Sequence, residues 1–81
     1  MKTIAYKIIQ INGQNLEGLT DKIMVNDGEN PFMILYDHAP LISALKKGKL
    51  QYYNEGQMIL EIPYQTGTIS VVQNQCVATI L

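Results

Sequence analysis

Apolar residues in this chain recur with a period of two, and that spacing constrains the fold more than any other feature of the sequence. Ile23 and Val25 alternate with Lys22, and Leu50 and Tyr52 with Lys49 and Gln51. Met58, Leu60, Ile62 and Tyr64 fall on one face, with Gln57 and Glu61 on the other, and Ile69 and Val71 alternate with Thr68 and Ser70. Successive side chains of an extended strand point to opposite faces, so such runs describe half-buried strands. Turn formers separate them: Asn12-Gly13, Asp27-Gly28, Lys47-Gly48, Asn54-Glu55-Gly56, Thr66-Gly67 and Gln73-Asn74. Strands punctuated every 8–12 residues or so belong to sandwiches and barrels. The abundance of Val, Ile, Thr and Tyr suits pleated surfaces.

Two segments need separate treatment. Phe32 to Leu35 is apolar on both faces, which predicts a strand that is central or buried on both sides. His38 to Lys47 carries Leu41, Ile42 and Leu45 at helical spacing, with Pro40 and Gly48 as start and stop signals. A short helical turn and a strand both stay open there, since so short a helix needs tertiary support. No linker, repeat or low-complexity tract divides the 81 residues. One compact all-β domain is expected over residues 1–81.

Composition then excludes classes of partner. Six lysines against seven acids give a net charge of −1, with no arginine. A nucleic-acid binder needs a basic excess to displace counterions, and arginine is the best-shaped phosphate ligand, so no nucleic-acid partner is expected. Cys76 stands alone, so no intrachain disulfide forms and a reducing compartment follows. Lys7 and Gln10 interrupt the N-terminal apolar run too early for a signal peptide. No stretch approaches the ~18 apolar residues of a membrane span. The expectation is a soluble, cytoplasmic chain without membrane insertion.

Catalytic constellations are hard to assemble from these residues. His38 and Cys76 would suit a thiol nucleophile beside a base, but Cys76 lies in the strand pattern Gln75-Cys76-Val77-Ala78, where a thiol fills apolar space. Asp37 and His38 resemble an orienting pair, yet strand neighbours face apart. Ser43 and Ser70 lack a glycine elbow. Asn26-Asp27-Gly28-Glu29-Asn30 lacks the alternating oxygen ligands of a calcium loop and reads as a self-capping turn. One histidine and one cysteine do not make a zinc site. No catalytic, metal or cofactor residue is assigned. Lys22, in Thr20-Asp21-Lys22-Ile23, faintly resembles the modified lysine of lipoyl- or biotinyl-type carrier domains. It alternates within a strand rather than crowning a hairpin, and the carrier reading stands as the alternative, beside a small β-rich binding module.

The segment His38-Ala39-Pro40-Leu41-Ile42-Ser43-Ala44-Leu45-Lys46-Lys47-Gly48-Lys49-Leu50 is distinctive. It resembles the central signature of the epsilon subunit of bacterial F-type ATP synthases: a His-Ala-Pro-Leu run followed by Ala-Leu-Lys, one residue and glycine. Upstream, Glu17-Gly18-Leu19, Asp21-Lys22-Ile23-Met24-Val25, Asp27-Gly28-Glu29 and Ile34-Leu35 are similar to further pieces of that family in order. Downstream, Gly67-Thr68-Ile69-Ser70-Val71 and Asn74 to Leu81 are similar to its closing strands. Tyr36-Asp37 stands where the family usually has Pro-Gly, and Pro31 aligns with the family acid nearest the rotor ring. The resemblance spans the N-terminal sandwich without the two C-terminal helices, as in short-form members.

The resemblance implies a β-sandwich of about ten short strands acting as a non-catalytic rotor subunit of the central stalk. It would dock the gamma subunit to the membrane c-ring and so couple proton translocation to ATP synthesis, at the cytoplasmic face of the cell membrane. By position, His38, Ala39, Pro40, Leu41 and Ser43 would face gamma. The turn Asp27, Gly28, Glu29, Asn30 and Pro31 would face the c-ring. Without the helices, no nucleotide binding is expected.

Overall fold

A computed structural model describes residues 2–81. Seven strands follow in order: β1 (Ile4–Gln10), β2 (Leu16–Thr20), β3 (Lys22–Asp27), β4 (Phe32–Leu35), β5 (Leu41–Asn54), β6 (Gln57–Val72) and β7 (Gln75–Ile80). They form one continuous sheet in the order β2-β1-β7-β6-β5-β3-β4, all antiparallel except the β1–β7 pair. The two long strands, β5 and β6, are shared between the halves, and the sheet folds over a common core. Ile4, Ile8, Ile69, Val71, Cys76 and Ala78 come from one half, and Ile23, Val25, Ile34, Leu50 and Tyr52 from the other. Within the core, the Tyr6 and Tyr52 rings pack 4.6 Å apart at 41°, a contact worth about 0.5–1.5 kcal/mol beyond its area.

Closure relies on the β2–β3 corner. The buried Thr20 hydroxyl donates toward Tyr53 O at 2.6 Å and Lys22 O at 3.0 Å. Asp21 N–H donates to Tyr53 O and to Asn54 Oδ1, and Asp21 Oδ2 accepts from Glu55 N–H at 2.8 Å. These bonds fasten the free end of β2 to the β5–β6 hairpin, satisfying backbone groups that an open corner would leave bare. Both tight hairpins use paired positive φ values, Glu55 (52°) with Gly56 (81°) and Gln73 (49°) with Asn74 (60°). That pattern matches the twist of flanking strands.

Three expectations are corrected and one open choice is settled. The strands number seven rather than about ten, because Lys47-Gly48 and Thr66-Gly67 lie within β5 and β6 rather than in turns. Gly48 and Gly67 are needed there for close approach: a Cβ at Gly48 would run into Asn26 O, and one at Gly67 into Thr79 O. The open choice at residues 39–47 resolves to strand, with Leu41 to Lys47 running along β6. Phe32–Leu35 forms β4 at the edge of the sheet, so only Ile34 is fully buried while Met33 and Leu35 are 44% and 46% exposed. Last, Met58 does not share a face with Leu60. Tyr52 pairs with Leu60 and Tyr53 with Met58, leaving Ile59 as an extra residue that flips the alternation.

Candidate functional site: an apolar sheet face and a rim of turns

The registers place paired residues side by side on one face, which defines the outer surface of β2-β1-β7-β6-β5. One row runs Leu19, Ala5, Gln75, Val72. The next runs Glu17, Lys7, Val77, Ser70, Ile42. Ile42 is 82% exposed and Val72 52%, and Leu19 is exposed as well. The only charges in these rows are Lys7 and Glu17, toward the β2 edge. Between them and Leu19, the small side chain of Ala5 leaves a shallow depression also lined by Gln75 and Val77. A broad face of aliphatic side chains interspersed with one hydroxyl and one amide suits a protein partner, because apolar contact with few charges characterises interface cores.

The residues expected to face gamma divide between surfaces. His38 closes a turn by donating its N–H to Leu35 O, and its Nδ1 lies 2.7 Å from Ala39 O. That turn is held against the β6–β7 hairpin by Asp37 and Asn74, which exchange hydrogen bonds of 2.6 and 3.0 Å. Ala39 and Pro40 are exposed. Leu41 is half-buried against the core and Ser43 is half-buried on the same strand face. Ile42, between them, points the other way. Ile42 and Val72 were missed in the sequence; strand alternation through residues 41–45 would have singled out Ile42.

At the opposite rim, Gly28, Glu29, Asn30 and Pro31 are exposed, while Asp27 is only 8% exposed. Asp27 Oδ1 accepts Lys46 N–H at 2.6 Å and the Tyr64 hydroxyl at 2.9 Å. Burial pushes its carboxyl up, but these bonds and those from the Glu29 and Asn30 backbone outweigh it, so its pKa lies below the usual value. The anchor continues sideways. Lys46 pairs with Thr66, Thr66 O accepts Leu81 N–H at 2.9 Å, and Ile80 O accepts Ile11 N–H at 3.1 Å. The β1–β2 turn and the exposed Ile11 and Leu81 therefore share this rim with Gly28–Pro31. Glu29 reaches Lys46 at 3.2 Å in an exposed pair, worth little in water.

Cys76 is buried, and burial pushes its thiol up to about 12, the direction opposite to that of a nucleophile. Lys22 opens β3 with its ammonium 4.4 Å from the Tyr53 ring centre, rather than standing at a hairpin tip. No three His, Cys, Asp or Glu converge among the described residues. No helix among them is long and apolar enough to cross a membrane.

Fold and surface together define a small all-β domain whose distinguishing features are an apolar sheet face and a rim of turns anchored by Asp27. Over residues 3–81 the sequence matches the family described as the β-sandwich domain of the ATP synthase delta/epsilon chain, and the chain belongs to that family. It is the family that the His38–Leu50 segment resembles. No curated protein matches the sequence. Among solved structures, the fold is similar to a chain from the cryo-EM structure of the Tetrahymena thermophila mitochondrial ATP synthase central stalk and c-ring, with a TM-score of 0.74. That likeness covers all of this chain and 64% of the other at 15% identity, so it is one of fold.

Proposed function

We propose that the chain is a non-catalytic central-stalk subunit of an F-type ATP synthase, docking the gamma subunit to the c-ring so that proton translocation drives ATP synthesis. Family membership supports the assembly, and the observation that carries the docking role is the apolar outer face bearing the exposed Ile42 and Val72. Gamma occupies that face, and Ala39 and Pro40 border it. Gly28, Glu29, Asn30 and Pro31 meet the ring from the opposite rim. Asp27 serves that contact by holding the turn to β5 and β6, not by touching the ring. The folded-over sheet, with its β2 end fastened to the β5–β6 hairpin at Thr20 and Asp21, gives a stiff body suited to transmitting rotation. The complex holds the subunit peripherally at the cytoplasmic face of the cell membrane.

Calorimetric binding to the gamma subunit of the same organism tests this reading. Ile42→Asp leaves the fold intact, because the side chain is in solvent, and weakens binding by roughly 30-fold or more, as expected when a large apolar contact is lost from an interface. Unchanged binding by this variant would remove the sheet face from the interface. No binding by the folded wild type would overturn the docking role itself.

A further inference from the structure

We propose that Asn12 is a site of spontaneous deamidation, at which the folded protein loses ammonia and acquires a carboxylate in the β1–β2 turn. The backbone nitrogen of Gly13, having given its proton to hydroxide, attacks Cγ of the Asn12 side chain. A new C–N bond forms, the Cγ–Nδ2 bond breaks, and Nδ2 takes a proton from water and departs as ammonia, which regenerates the hydroxide. Water then opens the resulting succinimide ring at either carbonyl, leaving aspartate or isoaspartate. One water is consumed and one ammonia released, with no oxidation or reduction. The step needs a flexible attacking nitrogen free of Cβ crowding, an unengaged side-chain amide and access for water; glycine supplies the first.

Asn12 meets all three requirements. Asn12 and Gly13 are exposed, and the Asn12 amide makes no hydrogen bond among the described residues. Gly13 N–H donates to Gln10 O over a long 3.3 Å, so freeing it costs little. The other five asparagines each fail. Asn15 Oδ1 accepts Gln10 N–H, and the branched Leu16 follows. Asn26 lies in β3 with its amide bonded to Gln51. Asn30 precedes Pro31, which has no N–H to attack with. Asn54 is bonded to both Asp21 and Leu19, and Asn74 twice to Asp37. Asp27-Gly28 offers similar ring chemistry, but the Asp27 carboxylate is buried, ionised and held by Lys46 and Tyr64.

The product carries one negative charge beyond the present net charge of −1, placed on the rim that also holds Gly28–Pro31. This chemistry does not depend on the rotor reading.

The folded chain, incubated at mildly alkaline pH and 37 °C, is followed by ion exchange and peptide mapping. A more acidic species accumulates, with aspartate and isoaspartate mapped to position 12. Gly13→Ala folds normally, because its Cβ meets only Gln10 atoms at 3.5 Å. It slows the conversion by roughly tenfold or more, by crowding the attacking nitrogen. Asn12→Gln abolishes the acidic species. A folded wild type that stays unmodified while urea-unfolded chain converts would overturn the proposal. So would conversion mapped to another asparagine, or Gly13→Ala reacting at the wild-type rate.

Discussion

The Tyr64 hydroxyl donates a 2.9 Å hydrogen bond to Asp27 Oδ1 in the buried interior, 37 residues away along the chain. It reaches that oxygen across Gly48, its partner on β5. A Cβ at Gly48 would stand 2.8 Å from the Tyr64 oxygen, so the missing side chain opens the path. Asp27 also accepts Lys46 N–H, and one carboxylate thus secures the rim turn to both long strands where they pass between halves of the sheet. Positioning of Gly28–Pro31 depends on this buried contact.

Tyr64→Phe removes a hydrogen bond to an ionised acceptor, and a loss of about 1.5–3 kcal/mol is expected. Asp27→Asn keeps the shape but weakens both bonds. Because the folded carboxyl titrates below its ordinary value, its stabilisation is present above the unfolded pKa and is lost as pH falls through the folded one. Urea midpoints measured from neutral pH to about pH 3 should fall steeply below about pH 4 in the wild type. Asp27→Asn should begin lower at neutral pH and show a shallower acid slope. A variant as acid-sensitive as the wild type would assign that transition to other carboxylates.

Gly48→Ala tests why the long strands cross between halves at a glycine. Its Cβ would collide with Asn26 O and crowd the Tyr64 hydroxyl, and backbone carbonyls in a paired strand move reluctantly. A loss of about 1–3 kcal/mol or more is expected by chemical denaturation, the range of an overpacked site. Gly13→Ala, which meets only ordinary contacts, should stay within about 0.5 kcal/mol of wild type, as at most surface positions. Equal effects at the two glycines would refute the close-approach account.

These glycines also show where sequence reading stopped. Alternation at Ile23–Val25, Leu50–Tyr52 and Ile69–Val71 was legible because one face of each run is core. Gly48 and Gly67 resemble turns locally, and only the neighbouring strands reveal them as crossing points within β5 and β6. Phe32–Leu35 could not be placed at the edge, because Met33 and Leu35 are apolar yet half in solvent. The His38–Leu50 block pointed to the family, but it did not say which of its side chains turn outward. With a helical turn still open there, nothing separated Leu41, which packs inward, from Ile42, which does not. Val72 carried no signal beyond membership of an apolar run.

Tyr52 is fully buried and its hydroxyl has no hydrogen-bond partner among the described residues. Burial, with Cys76 and Tyr6 close by, pushes its ionisation far above the ordinary value, so the group stays a neutral donor without an acceptor. An unmet buried polar group costs about 1–3 kcal/mol. Tyr52→Phe keeps the ring packed against Tyr6 and removes that cost, so an unchanged or higher thermal midpoint is expected. Destabilisation by more than about 1 kcal/mol would mean that a buried water completes the site.

Cys76 should report on opening of the whole domain. It sits in β7 among the core residues, 1% exposed, and burial holds its thiol at about 12. A thiol in solvent titrates near 8.5, so the folded chain at pH 8 presents almost no thiolate and no path for a reagent. Labelling by a thiol-disulfide reagent should then follow the unfolded fraction, rising with urea along the same curve as loss of β structure by circular dichroism. Between the unfolded and folded pKa values the folded state holds a proton that the unfolded chain has released. Stability from this group is therefore complete below about pH 8.5 and declines as pH rises through the folded value. Cys76→Ala should flatten that alkaline decline at a cost of about 1 kcal/mol for the lost packing. Rapid labelling of the folded chain at pH 8, without any change in circular dichroism, would show that β7 opens locally and that Cys76 is not part of a closed core.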